Sequence, residues 1–336
     1  MMDNEYTMSN QTEENNRDPL DFHKQITVVD CHCDTLLDVM NKGRRLCNYS
    51  EEGHVDLVRL QQGGVNVQFF AAFIETVYKP FNALTRSLEL INTFYRELDM
   101  CGGMLVHGYN TRQIRKSLKN DKIVAVLGIE GGEALNGNLA VLHALYRLGV
   151  RFLGLTWNQR NQIADGVGEA LTGGGLTKFG REVVREMNNL GMLIDLSHIS
   201  EAGFWDVLAH SRDPVMVSHA NCYTLQNHIR NLKDDQIKAL AESGGVLGLS
   251  FFPEFTGNSI EDFLDHIDFV AALAGTEVIA LGSDFDGIEK TPDGLGDARC
   301  YPGITVKLLL ERGYTEKEVK GIMGGNVLRL IERVLT

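Results

Sequence analysis

Apolar residues along this chain come in short continuous runs, and polar, helix-patterned stretches separate them. The runs are ITVVDCH (26–32), VNVQFFAAF (65–73), IVAVLGIE (123–130), RFLGLTWN (151–158), MLIDLSH (192–198), PVMVSHA (214–220), GGVLGLSF (244–251) and VIALGSD (278–284). Continuous rather than alternating hydrophobicity suits strands covered on both faces, as in parallel sheets. Between them lie amphipathic segments such as 87–101, 176–191 and 261–275. A strand followed by a helix, repeated at this density, predicts right-handed βαβ units. Eight such units close into a (β/α)8 TIM barrel, and an open doubly wound sheet is the competing arrangement.

The ends of these runs change the picture from fold to chemistry. The first ends in His32 and Asp34, the third in Glu130, the fifth in His198, the sixth in His219 and the last in Asp284. Barrel enzymes carry their reactive groups at the C-terminal ends of strands, and chance scatter would not favour one end. Imidazole and carboxylate donors suit zinc or a similar divalent ion. Residues i and i+2 share one side of a pleat, so His32 and Asp34 can grip one ion. His198 and His219, from adjacent strands, can hold a second, and Glu130 has two oxygens with which to bridge. Two ions about 3.5–4 Å apart lower the pKa of a shared water and polarise a carbonyl. Asp284 is the candidate proton carrier for a leaving amine.

Other residues receive more modest readings. Asp195, in LIDLSH, is expected to be a structural acid on the opposite side of the pleat from His198, and Asp286 a supporting acid beside the metals. Arg230, on a loop beyond the sixth run, can bind a substrate carboxylate with two hydrogen bonds. His23, His54, His107, His143, His210, His228 and His266 read as hydrogen-bonded structural residues. Residues 41–64 and 285–303, rich in glycine and charge, are long loops expected to cover the site.

Composition narrows the class. With 336 residues, 43% of them hydrophobic, the chain fits one barrel and buries a core that needs no disulfides. The formal charge of −13 argues against nucleic acid or an anionic membrane as partner. The six cysteines show no paired framework, and Cys31 and Cys33 read as reduced structural thiols. Residues 1–24 are expected to form a disordered polar tail and 25–336 a single catalytic barrel. No apolar run reaches the length of a membrane span and the tail has no apolar signal core, so a cytoplasmic location is the expectation.

Together, VVDCHCDT, GIEGGEAL, GLTKFGREVVREMNNLGMLIDLSHIS, VMVSHAN, IRNLKDDQIKALAESGGVLGL, ALGSDFDG and GGNVLRL resemble the membrane (renal) dipeptidases, the M19 metallopeptidases of the amidohydrolase superfamily. The resemblance runs from about residue 26 to 332 and suggests a bacterial-type soluble member. It implies two zinc ions, one held by His32 and Asp34, the other by His198 and His219, with Glu130 bridging. It also implies Arg230 on the C-terminal carboxylate of a dipeptide, Asp284 on the proton and the free amino end, and a homodimer. The implied reaction releases free amino acids from dipeptides, including those with a C-terminal D-residue, through a metal-bridging hydroxide. One position departs: where animal members carry a histidine thought to stabilise the oxyanion, this chain has Trp157, followed by Asn158. Indole donates one hydrogen bond and carries no charge, so Trp157 and Asn158 are candidate substrate contacts. That departure keeps two alternatives open: an amidohydrolase for a lactone, cyclic amide or N-acyl amino acid, and a barrel that binds dipeptides with little turnover.

Overall fold

The computed structural model describes residues 18–335. Among them nine parallel strands form one sheet: β1 (Val28–Asp30), β2 (Val65–Phe73), β3 (Leu105–His107), β4 (Ile123–Glu130), β5 (Phe152–Gly154), β6 (Leu193–Asp195), β7 (Met216–Val217), β8 (Val246–Leu249) and β9 (Ile279–Leu281). Eight of them close a (β/α)8 barrel, because β2 pairs with both β1 and β4 and β9 returns to β1. These eight are the eight apolar runs of the sequence. The ninth, β3, pairs with the first three residues of β4 on the side that β5 takes further up; its three residues are too short a run to stand out by pattern.

The helices form where the sequence supplies caps. Lys178–Leu190 begins at Thr177, whose hydroxyl accepts from the Gly180 amide at 2.9 Å, and stops at Gly191, φ 68°, a left-handed position that glycine adopts without a Cβ penalty. Ile260–Ala274 begins with a capping box between Ser259 and Asp262. Residues 18–24, expected within the tail, are instead ordered: Pro19–His23 is a short helix capped by Asp18. Its buried His23 bonds Thr305 Oγ1 at 2.7 Å and the Gly63 carbonyl at 3.0 Å, an anchorage that local polarity does not reveal. The rest of the predicted tail, residues 1–17, lies outside the described residues. No described helix is long and apolar enough to cross a membrane. The six cysteines form no disulfide.

Strand alternation sorts the core into two groups. Val28, Phe70, Leu127 and Leu153 face the helices, whereas Val29, Cys31, Val67, Phe69, Val124, Phe152, Leu193, Met216, Val246 and Ala280 fill the barrel. At the N-terminal end of the strands the last helix, Asn326–Val334, contributes Leu330, Ile331 and Val334 to that inner group and closes the barrel. By the same alternation Asp195 follows Leu193 and Ser218 follows Met216, so the layer above is polar. Room for it is made by Gly248 and Gly282, where an added Cβ would lie 2.1 and 1.8 Å from the Ser218 carbonyl oxygen.

Candidate metal centre

The strands place the expected residues at one end of the barrel. Glu130 is the last residue of β4; His32, His198, His219 and Asp284 follow β1, β6, β7 and β9 within three residues. Asp34 opens the helix Thr35–Lys42 rather than extending β1, so it meets His32 through a turn, not along a shared pleat. Two of these positions, and Asp286 beside them, break the backbone pattern. His198, Asp284 and Asp286 have φ of 68°, 65° and 64°, a left-handed conformation that costs non-glycine residues energy and is retained where surroundings impose it.

The geometry is convergent. His32 Nε2 lies 3.3 Å from Glu130 Oε2, while His198 Nε2 and His219 Nε2 lie 2.8 and 3.7 Å from Glu130 Oε1. His198 Nε2 and His219 Nε2 are 2.8 Å apart, and Asp34 Oδ1 is 3.8 Å from His32 Nε2. His32 Nε2 and Asp34 Oδ1 are buried without a hydrogen-bond partner, a costly arrangement unless a cation satisfies them. Ligand atoms of His32, Glu130 and His219 fall within 4.8 Å of one another, as do those of His32, Asp34 and Asp284. Nitrogen and carboxylate donors facing each other at such distances fit divalent ions, and His32 belongs to both groups.

Electrostatics agree. Burial opposes charge on His32, but the Glu130 and Asp34 carboxylates outweigh it and raise its pKa well above the usual value. Burial works against ionised Glu130 too, and His32 and His198 reverse it, holding this carboxyl well below its usual range. Asp284 is only partly shielded by surface yet loses enough hydration to be pushed up to about 8, with Asp34 and Glu130 adding to the rise and His32 and Arg230 opposing it. A cation neutralising Asp34 and Glu130 would remove their part of that rise.

Supporting hydrogen bonds fix the ligands. Asn158 Oδ1 stands 2.7 Å from His198 Nδ1, so it accepts from that nitrogen and leaves Nε2 for a metal. Asn158, considered for substrate contact from the sequence, thus has one end committed to a ligand. Asp286 is a hub rather than a ligand: it accepts from Thr35 Oγ1 and Arg44 Nη2 at 2.6 Å each and from the His54 amide at 2.5 Å. Those bonds stitch loop 41–64 behind Asp34, so this loop braces the site, while Gly287 and Ile288 of the other long loop line the pocket itself.

Above the ligands opens a cavity of about 390 Å³. Arg230 lies in its wall, buried, with Nη2 bonding the His219 carbonyl at 3.2 Å, Nε unpartnered and its guanidinium 5.4 Å from the Phe255 ring centre. Burial lowers its pKa to about 10, which still leaves it charged at neutral pH. Trp157 and Phe73 form another wall, ring centres 5.4 Å apart, with the indole 5.9 Å from the His198 ring. Behind them Lys79 Nζ stands 5.0 Å from the indole centre, so the charge that indole lacks is nearby on the far side.

Two readings need correction. Asp195 does not lie opposite His198: the left-handed turn at His198 reverses the alternation, and Asp195 faces the interior beneath the ligands, bonded to Ser197 and Ser218. His228, set aside as structural, lines the pocket, where its Nδ1 accepts from the Arg230 amide at 3.2 Å; its position two residues before Arg230 was the available signal.

Comparison with known proteins follows the same line. The profile of the family described as membrane dipeptidase (peptidase family M19) matches residues 18–336. An uncharacterized dipeptidase of Schizosaccharomyces pombe is 36% identical over 338 residues, covering 91% of this chain and 80% of that protein. Dipeptidase aclJ of Aspergillus oryzae is 35% identical over 295 residues, covering 83% and 69%. A metallopeptidase of Rhodobacter sphaeroides, solved with a phosphinate mimic of the dipeptide L-Ala-D-Ala, superposes with a TM-score of 0.86 at 28% identity, covering 92% of this chain and 99% of that one.

Proposed function

The chain belongs to the membrane dipeptidase family, peptidase family M19, and from that premise we propose a two-zinc dipeptidase whose ions are held by His32, Asp34, Glu130, His198 and His219. The protein is a metallopeptidase of dipeptidase type; the ion, its count and the residue roles are our reading. One observation carries it: three imidazole Nε2 atoms converge on the two oxygens of Glu130 while His32 Nε2 and Asp34 Oδ1 lack partners.

In this reading His32 and Asp34 would hold one ion and His198 and His219 the other, with Glu130 shared between them. When bound, the ions supply a Lewis acid for the scissile carbonyl and a water made acidic enough to ionise near neutral pH. Arg230 receives the C-terminal carboxylate, for which its unpartnered Nε and lasting charge suit it. Asp284 carries the proton to the departing amine and faces the free amino end; its carboxyl lines the pocket at the end of β9, beside the proposed ions. Trp157 and the free end of Asn158 form the wall against which the substrate lies. A C-terminal D-residue is supported by the L-Ala-D-Ala mimic bound by the Rhodobacter sphaeroides relative.

The test pairs metal counting with product analysis on purified protein. Two zinc ions per chain, with amino acids released from L-Ala-L-Ala and L-Ala-D-Ala, are expected. Turnover only of lactones, cyclic amides or N-acyl amino acids would move the assignment to another amidohydrolase, and binding of dipeptides without turnover would make the protein a receptor.

A further inference from the structure

Directly beneath the ligands, the barrel interior holds Asp195, Ser197 and Ser218, all at most 2% exposed and none lining the substrate cavity. Their protons can be assigned one by one. Asp195 Oδ1 is approached by the Ser197 amide at 3.0 Å, the Ser197 hydroxyl at 2.9 Å and the Ser218 amide at 2.9 Å. Its other oxygen, Oδ2, lies 2.6 Å from Ser218 Oγ. Every neighbour donates, so Asp195 sits in the surroundings of an ionised carboxylate, which only accepts. Ser218 Oγ also lies 3.0 Å from Ser197 Oγ, but its shorter bond, at 2.6 Å, is to Asp195; its single hydroxyl proton is therefore committed to Asp195, and toward the other groups Ser218 Oγ accepts.

Two histidines face that oxygen with the same ring nitrogen. His219 Nδ1 is 2.8 Å away, and His32 Nδ1 is 3.4 Å away. Each then keeps a proton on Nδ1, which leaves Nε2, the nitrogen on the Glu130 side, as the one that would bind a metal. The two rings approach the serine from different strands, with centres 3.9 Å apart. His198 is oriented separately, by Asn158.

We propose that Ser218, fixed by Asp195, is a shared positioning residue that sets the tautomer of one histidine in each metal position, so that the affinities for the two ions depend on a single hydroxyl. This rests on the two-metal reading above. The groups that fix the proton on a metal-binding imidazole usually contribute about 10–100-fold to metal affinity; here one group would contribute it twice.

The experiment titrates metal-free full-length protein with Zn²⁺ against a chromophoric chelator, with Co²⁺ absorption as an independent reading of each ligand environment and melting temperature of the metal-free form as the folding control. Ser218→Ala is expected to bind two ions still, both more weakly by about 10–100-fold. Asp195→Asn is expected to lose more. Three donors point at Oδ1, so the new amide nitrogen must take the Oδ2 position and donate to Ser218. The serine proton then turns to His219 Nδ1 and forces the ring proton onto Nε2, where it blocks the metal.

An unchanged affinity in Ser218→Ala, or a loss confined to one ion, overturns the sharing. So does a lowered metal-free melting temperature in both variants with wild-type affinities, which marks a purely structural role. A wild type that binds one ion overturns the two-metal reading and the sharing together, and the wild-type titration alone distinguishes that case.

Discussion

At the foot of the barrel, Leu330, Ile331 and Val334 of the last helix share one apolar cluster with Val29, Val67 and Val246. At its mouth, the other end of the same strands, the interior carries Asp195, Ser218, three histidines and Glu130, all buried. The foot is satisfied by packing and needs no geometry finer than close contact. The mouth is satisfied only by directed partners: hydrogen bonds for Asp195 and Ser218, and cations for His32 Nε2 and Asp34 Oδ1. The left-handed residues His198 and Asp284 belong to the mouth as well. Convergent buried carboxylates and imidazoles thus belong to the mouth, and the foot supplies apolar packing that the mouth does not.

The sharpest way to break this contrast is to remove the charge on which the mouth converges. Glu130→Gln is expected to lose metal and to lower dipeptide hydrolysis by about 1,000-fold, because the ions' stabilisation of the reaction is worth several kcal/mol. The metal-free form should melt below metal-free wild type, since the carboxylate that offsets the burial of His32 is removed; an unchanged melting temperature would show that the pair adds no stability without metal. Asp284→Asn should keep both metals and lower kcat by about 10²–10⁴-fold, measured with metal content held equal. A kcat near wild type would remove Asp284 from proton transfer.

The foot should answer in the opposite currency. Leu330→Ala, at 1% exposure, is expected to cost about 2–5 kcal/mol of stability while kcat and metal content per folded molecule stay unchanged. Denaturant unfolding and activity on the same sample check both halves. Loss of metal in that variant would show that the two ends are coupled.

The smallest effect is a pH slope from β3, near the foot. Burial, and then the charge of Arg151, lower the pKa of His107 to about 4 from 6.5. Because the unfolded chain takes up this proton first, its contribution to stability is intact above about 6.5 and is lost as pH falls toward about 4. At about 1.4 kcal/mol per pKa unit, reduced for partial exposure, the loss is on the order of 1–2 kcal/mol. His107→Gln should flatten that part of the profile in thermal melts between those pH values; an unchanged slope would place the acid sensitivity elsewhere.

Much of this was legible without coordinates. The eight apolar runs are the eight barrel strands, and the expected helices 176–191 and 261–275 correspond to Lys178–Leu190 and Ile260–Ala274. His32, Asp34, Glu130, His198, His219, Arg230 and Asp284 come together at one end. Two departures have separate causes. Asp195 was assigned to the wrong side because simple alternation assumes an unbroken pleat, and His198 breaks it with a φ of 68°. The anchored helix at Pro19–His23 was missed because its partners, Thr305 and Gly63, are remote in sequence.

By itself, then, the sequence determined the barrel, the end at which its chemistry lies and the donor types gathered there. Hydrophobic runs and strand-end residues are local properties, written in consecutive positions. Only the tertiary structure decided which nitrogen each histidine turns inward, that Asn158 holds His198, that Asp286 braces Asp34 through Thr35 and Arg44, and that Ser218 stands between His32 and His219. Those relations depend on hydrogen bonds between strands far apart in the chain, whose directions are set by barrel closure and by a few left-handed backbone turns.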